Sequence, residues 1–296
     1  MRKVTATTAE GPGGFGAALK KLAARLPLHI IVVVIAILWM TPAFGLLVSS
    51  FRPATDIAST GWWTAFQTPF KYTLENYSAV ISQNGMGRSF LNSLIISVPG
   101  TVIPILVAGF AAFAFAWMKF RGRDIIFMFV VALLVVPVQM TLIPVLRLLA
   151  DTHLVGTFPG IWIAHTAYGL PFAIFLLRNF FAELPKELLE SAYLDGASNL
   201  RVFFRLVLPL SVPALASLAI FQFLWVWNDL LVALVYLQDP SKAPMTVTIN
   251  NLVSSFGTQW QLLTAAAFIS MMLPLVIFIA LQRYFVEGIT AGAIKG

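Results

Sequence analysis

The residues able to do polar chemistry in this chain are few, and several stand inside apolar runs. Gln222, Asn228 and Asp229 interrupt one such run, and Gln139 and Thr141 another. Amide, hydroxyl and carboxylate groups in apolar surroundings can line a path for a polar solute or bond one helix to the next. Residue type leaves both readings open. Catalytic chemistry has less support. No Ser/His/Asp set and no carboxylate pair falls at one depth of these runs. There is no cysteine, which excludes disulfides and thiolate metal sites, and His29, His153 and His165 lack metal-ligand spacing. No Gly-x-x-x-x-Gly-Lys-[Ser/Thr] loop occurs: the glycine-rich stretch 11–16 lacks the lysine and precedes no strand. The chain is therefore not read as an enzyme, and no metal or cofactor is expected on it.

The elements that must position these residues are membrane helices. Of 296 residues 59% are hydrophobic and 10% charged, with a mean hydropathy of +0.88. A soluble domain carries about 25% charged residues. A helix needs about 20 mostly apolar residues to cross a bilayer, and six stretches meet that need: 28–50, 91–117, 125–149, 159–177, 206–236 and 264–282. The expected fold is all-α, a polytopic membrane protein with six transmembrane helices. Arg147 and Asp229 are the charges inside these stretches. The depth of Asp229 depends on which end of its run the helix is counted from.

The net charge of +7 is a matter of topology. Arg2, Lys3, Lys20, Lys21, Arg25, Lys119, Arg121, Arg123, Arg178, Lys186, Arg201, Arg205, Arg283 and Lys295 fall on one side; Arg52, Lys71, Arg88, Arg147 and Lys242 fall on the other. By the positive-inside rule the first side is cytoplasmic and holds both termini, and nucleic acid is not required as a partner. Residues 1–27 then form a cytoplasmic tail, 28–285 the transmembrane domain, and 286–296 a second cytoplasmic tail. The stretch 4–18 has little to bury and is expected to be mobile.

Between the fourth and fifth stretches lies a cytoplasmic loop, 183–205. Pro185 suits a first helical turn, and Leu188, Leu189, Ala192 and Tyr193 follow on one face at helical spacing. Asp195-Gly196 is a turn signal, and Ser198 can cap a second helix that runs on into the fifth span. Periodicity alone lets the apolar face fold back on the protein or dock on a partner.

Glu190-Ser-Ala-Tyr-Leu-Asp-Gly-Ala197, followed by Phe203 and Leu208-Pro-Leu210, resembles the EAA loop of permease subunits in ABC importers, with Ser191 in place of the first alanine. Trp227-Asn228-Asp229 and the ending Gln282 to Gly296 resemble the carbohydrate-uptake branch, in particular maltose-type G subunits. The resemblance implies the type I importer transmembrane fold in a bacterial or archaeal cytoplasmic membrane. It implies a companion permease forming a heterodimer, two copies of a cytoplasmic ATPase carrying ATP and Mg, an extracytoplasmic solute-binding protein, and a di- or oligosaccharide as substrate. Glu190, Ser191, Ala192, Asp195, Gly196 and Ala197 would couple to the ATPase. Glu190 would face a basic group there, Ser191, Ala192 and Ala197 would admit close backbone approach, and Asp195 would steady the turn. Thr290, Gly292, Lys295 and Gly296 would touch the ATPase from the C-terminal tail, whose other reading is a frayed end. Asn250, Asn251, Gln259 and Trp260 would meet the binding protein. Sugars need hydrogen-bonding partners and rings, which Gln139, Thr141, Gln222, Asn228 and Asp229 and their aromatic neighbours could offer along the pathway. The aromatics of 52–90 read either as an interfacial belt or as partner contacts. A secondary transporter, driven through buried acids, would have Asp229 alone to use.

Overall fold

The computed structural model describes residues 14–83, 85–255 and 259–291, and their regular elements are all helical, with no strand among them. The chain opens with α1 (Gly14–Ser50), crosses the short α2 (Ala54–Ser59) and α3 (Glu75–Ser78), and returns in α4 (Met86–Trp117). Next come α5 (Arg123–Ala132), α6 (Val138–Asp151) and α7 (Phe158–Ala182). The connecting region holds α8 (Lys186–Leu194), α9 (Asn199–Val202) and α10 (Leu208–Leu210), and is followed by α11 (Val212–Trp227) and α12 (Leu231–Tyr236). The chain closes with α13 (Met245–Ser255) and α14 (Trp260–Ala291).

Four helices are long and apolar enough to cross a membrane unaided: Leu26–Ser50, Met86–Trp117, Phe158–Ala182 and Trp260–Gln282. Six spans are reached when two bent pairs are each taken as one. The third expected span is not straight. Arg123–Val135 and Val138–Asp151 meet at 106°, because Val136 is extended and Pro137 starts the next helix with a ring that cannot continue the previous one. The fifth is also broken. Asn199–Leu210 and Val212–Trp227 meet at 75° around Ser211, so 206–210 prolongs the connecting region instead of entering the span directly. A second break at 228–230 separates α12 from α11. At the chain ends, residues 14–27 are helical and part of α1, and α14 stays helical to Ala291, so Gly288 and Thr290 lie on a helix.

The core runs between α4, α7 and α11. Near the end of the bundle that carries α8–α10, Ala108, Ala112 and Phe113 of α4 meet Ala173, Leu177 and Phe181 of α7 and Leu218 of α11. Near the opposite end Ile96, Ile161, Val226 and Tyr236 form a second cluster.

Prolines within this core leave carbonyls without their helical donors, and side chains from neighbouring helices fill the vacancies. Pro104 cannot donate to Gly100, and the carbonyl of Gly100 accepts from Gln222 Nε2 at 3.1 Å. Pro99 frees the carbonyl of Ile95, which accepts from Trp162 Nε1 at 2.8 Å. Pro274 frees that of Ser270, which accepts from Trp227 Nε1 at 3.1 Å. Each bond joins two elements where lipid offers no alternative donor.

Candidate functional site: the α8–α9 knob and the α11–α12 break

Pro185 precedes α8, and the first buried residue is Leu189, 1% exposed within the cluster of Phe113, Leu177, Phe181, Val202 and Phe203. Ala192 and Ala197 are half-buried against the same cluster. The turn between α8 and α9 is closed by backbone. The Gly196 amide donates to Tyr193 O and the Ala197 amide to Ala192 O, both at 3.0 Å. These two bonds make a Schellman motif, with Gly196 at φ +79° in the left-handed position that glycine occupies without strain. Ser198 then caps α9 by accepting from the Arg201 amide at 3.4 Å. Tyr193 donates its hydroxyl to Asn199 Oδ1 at 3.0 Å, tying the two helices across the turn. Partial burial of its ring pushes the Tyr193 phenol up, which keeps it a donor.

This geometry divides the expected coupling residues. Glu190, Ser191, Asp195 and Gly196 are exposed. Ala192 and Ala197 pack against the protein's own core cluster while staying half-buried. The Asp195 side chain is exposed while its backbone forms the helix C-cap; the turn is held by peptide groups and not by its carboxylate. The apolar face is likewise split, with Leu189 buried and Leu188 and Tyr193 about 40% exposed. Leu194 at 89% and Leu200 at 63% are the most exposed apolar residues of the knob. Sequence reasoning passed over both. Their signal is a leucine on either side of Asp195-Gly196, where a solvent-facing turn would carry polar groups.

Within the bundle, Gln222 is a strut: it is buried, bonds Gly100 of α4, and lies so close to α7 that a Cβ on Gly169 would stand 2.6 Å from its Nε2. Asp229 is a cap. Its Oδ1 accepts from the Val232 amide at 3.2 Å and its Oδ2 from the Ala233 amide at 3.0 Å, which starts α12 after the break. Its backbone carbonyl accepts from Thr246 Oγ1 at 2.6 Å. Thr141 Oγ1 donates to Val138 O at 2.7 Å and lies 3.2 Å from Tyr168 Oη, which is 2.7 Å from Tyr236 Oη. Asn228 and Gln139 are exposed. The structure thus brings Gln222, Asp229 and Thr141 into interhelical or capping bonds, and leaves Asn228 and Gln139 facing out of the chain.

The loop after α12 is fixed to the opposite end of the bundle. Asn92 Nδ2 donates to Ser241 O and Ala243 O, both at 3.1 Å, the Met245 amide donates to Ser93 Oγ at 2.9 Å, and Lys242 Nζ donates to Gly156 O at 2.6 Å. Asp239 accepts from the Ser241 amide at 2.9 Å and pairs with Lys242 at 3.0 Å. These bonds, Ser241 first, pull its carboxyl down to about 2. Asn251 is exposed and lines a pocket of about 420 Å³ with Gln238, Asp239 and Thr248. Asn250 and Gln259 are half-buried and Trp260 is 57% exposed. Of the expected tail contacts, Gly292, Lys295 and Gly296 lie outside the described residues, as does the side chain of Thr290. Among the described residues no three His, Asp or Glu are grouped to hold a metal.

Residues 100–291 match the family described as binding-protein-dependent transport system inner membrane component. The chain is 59% identical over 275 residues to the osmoprotective compounds uptake permease protein GgtD of Synechocystis, covering 92% of each. It is 55% identical to the alpha-glucoside transport system permease protein AglG of Rhizobium meliloti, over 77% of this chain and 62% of that protein. A chain of the bacterial ABC transporter that imports the acidic polysaccharide alginate has the same fold, with a TM-score of 0.78 at 19% identity over 94% of this chain and 100% of that one. The Trp227-Asn228-Asp229 tripeptide and the α8–α9 turn lie within residues 100–291, and the chain belongs to the inner-membrane permease components of binding-protein-dependent transport systems.

Proposed function

We propose that this chain is one of two different permease subunits of an ATP-driven importer, and that the solute is a carbohydrate, a glucoside or short oligosaccharide. The observation that carries the reading is the α8–α9 knob. It is rooted through Leu189, closed by a Schellman turn, and presents Glu190, Leu188, Leu194 and Leu200 outward. An exposed ion pair contributes only about 0–1 kcal/mol, so coupling through Glu190 alone would be weak. A stiff knob with exposed leucines can instead bury apolar area in a socket on a separate ATPase. Two copies of that ATPase would carry ATP and Mg, one under each permease.

In this reading the knob, the loop 118–122 and both termini are cytoplasmic, with 1–27 and 286–296 flanking the transmembrane domain 28–285. Thr290, Gly292, Lys295 and Gly296 then fall within reach of the ATPases. The opposite end, with Asn250, Asn251, Gln259 and Trp260, meets the solute-binding protein. Gln139 and Asn228, exposed on this chain alone, become candidates for the pathway between the two permeases. The names of relatives support the solute class: alpha-glucosides for AglG and melibiose, raffinose and stachyose for MelC of Bacillus subtilis. Osmoprotective compounds, named for GgtD, set the boundary of the substrate panel.

The test is reconstitution of the complex with its binding protein in vesicles, with vanadate-sensitive ATP hydrolysis and uptake measured over glucosides, oligosaccharides and non-sugar osmolytes. Stimulation by a glucoside or oligosaccharide is expected. Uptake that follows a proton or sodium gradient without ATP overturns the importer; stimulation by non-sugar solutes alone overturns the substrate class. A photo-cross-linker at Ser191 should capture the ATPase.

A further inference from the structure

His165 on α7 is fully buried, and neither ring nitrogen has a hydrogen-bond partner. Ser97 on α4 is 1% exposed, and its hydroxyl has none either. Both line a small void, about 10 Å³, together with Ser93, Trp227, Asp229 and Pro244. His165 Nε2 stands 3.8 Å from Asp229 Oδ2, beyond direct hydrogen-bond range. Trp225 holds the imidazole by an edge contact, ring centres 5.5 Å apart. Buried polar groups are normally satisfied, and a void of roughly 10–15 Å³ with two or more polar neighbours is the size of one water site.

We propose that this void binds a single water molecule, bridging Ser97, His165 and Asp229, and that His165 acts through it as a positioning residue for the α11–α12 break. Water is favoured over a cation. Both oxygens of Asp229 already accept from the α12 amides, which leaves too few free oxygens to wrap a metal ion. The bridge reaches three elements at once, α4, α7 and the break. Asp229 in turn caps α12 and receives Thr246 from α13. The water would thereby register the loop at the opposite end of the bundle against the α4–α7 pair. The inference concerns bonds within this chain and does not depend on the transported solute.

The experiment uses the assembled complex in lipid nanodiscs. A cryo-EM map that resolves ordered water should show one density within hydrogen-bond distance of His165 and Asp229. Amide hydrogen exchange of Val232 and Ala233 supplies the second readout. His165→Phe, which keeps a ring and removes both nitrogens, should speed that exchange at least tenfold and leave α8 and α9 unchanged. His165→Gln, which keeps a polar group, should recover most of the loss. Ser97→Ala, a one-atom deletion, should speed it two- to threefold and decides the matter if His165→Phe fails to fold. A dry void with His165 bonded directly to Asp229 overturns the proposal. Unchanged exchange in folded His165→Phe or Ser97→Ala does so too, as does exchange that shifts when sodium is replaced by choline, the mark of a cation in the site.

Discussion

Gly196 is held at φ +79° with no atom within 4 Å of where a Cβ would sit, so its requirement is conformational and not spatial. Gly196→Ala should cost about 1–2 kcal/mol, the penalty of placing an L-residue in the left-handed region, and slow ATPase coupling without abolishing it. Gly196→Pro also forbids that φ and removes the amide that bonds Tyr193 O; it should abolish binding-protein-stimulated hydrolysis while the permease still inserts. Equal activity in the two variants would show that the turn is not what couples. Asp239 offers a prediction in pH. Its carboxyl is depressed to about 2 by Ser241 and Lys242, so its contribution to loop order is complete above the ordinary carboxylate range near 3.9. That contribution is lost as pH falls through about 2. Asp239→Asn should speed exchange of the Ser241 amide above pH 4, and the difference from the parent should shrink as pH falls to about 2 and below. The dipeptide Asp195-Gly196 made its turn readable directly from the sequence. The direction of Ala192 and Ala197 was not, because a small residue on a half-buried helix face satisfies an inward or an outward contact equally. Nor was the role of Asp229, since no proline or glycine marks the break at 228–230.

At the scale of the element, hydropathy and proline position set different things. Apolar length identified where spans lie, but a window that counts apolar residues is blind to direction, so the 106° turn at Pro137 was invisible in it. The prolines themselves were readable; the donors that replace their missing amides were not, because Trp162, Gln222 and Trp227 lie far from them in sequence. The pairing of Trp227 with the carbonyl freed by Pro274 can be tested from both ends. Trp227→Phe keeps an aromatic ring stacked on Phe223 and removes the donor to Ser270 O. Interhelical hydrogen bonds in membranes average about 0.6 kcal/mol and reach about 1.7, so a loss within that range is expected in thermal unfolding of the detergent-solubilised complex. Pro274→Ala restores an amide to the same carbonyl. The double variant should therefore be more stable than Trp227→Phe alone. If the second substitution recovers nothing, the bond to Ser270 is incidental and Trp227 acts by packing.

At the scale of the molecule, the first span is only partly held. Its last turns are anchored: Phe44 meets Trp62 edge-on with centroids 5.7 Å apart, and Gly45 leaves room for the Trp62 indole, whose Nε1 would stand 2.8 Å from a Cβ. Earlier in the helix, residues 26–42 are all exposed among the described residues. Of its most apolar stretch 6% is buried, against 44% for Phe158–Ala182, and Trp39 is 81% exposed. Lipid alone satisfies an apolar helix, whose backbone bonds are internal, but a span standing apart from its own bundle is also free to lie along a second permease. The two surroundings predict different results for Trp39→Ala. Against lipid the change should stay within about 0.5 kcal/mol and leave assembly intact. Against a packed partner, truncating a buried tryptophan costs about 2 kcal/mol or more, and the yield of companion permease co-purified with this chain should fall several-fold while insertion is unchanged. The heterodimer proposed above favours the second outcome. Full co-purification by Trp39→Ala, with a photo-cross-linker at position 39 capturing lipid only, would move the subunit contact off the first span and onto the faces that carry Gln139 and Asn228.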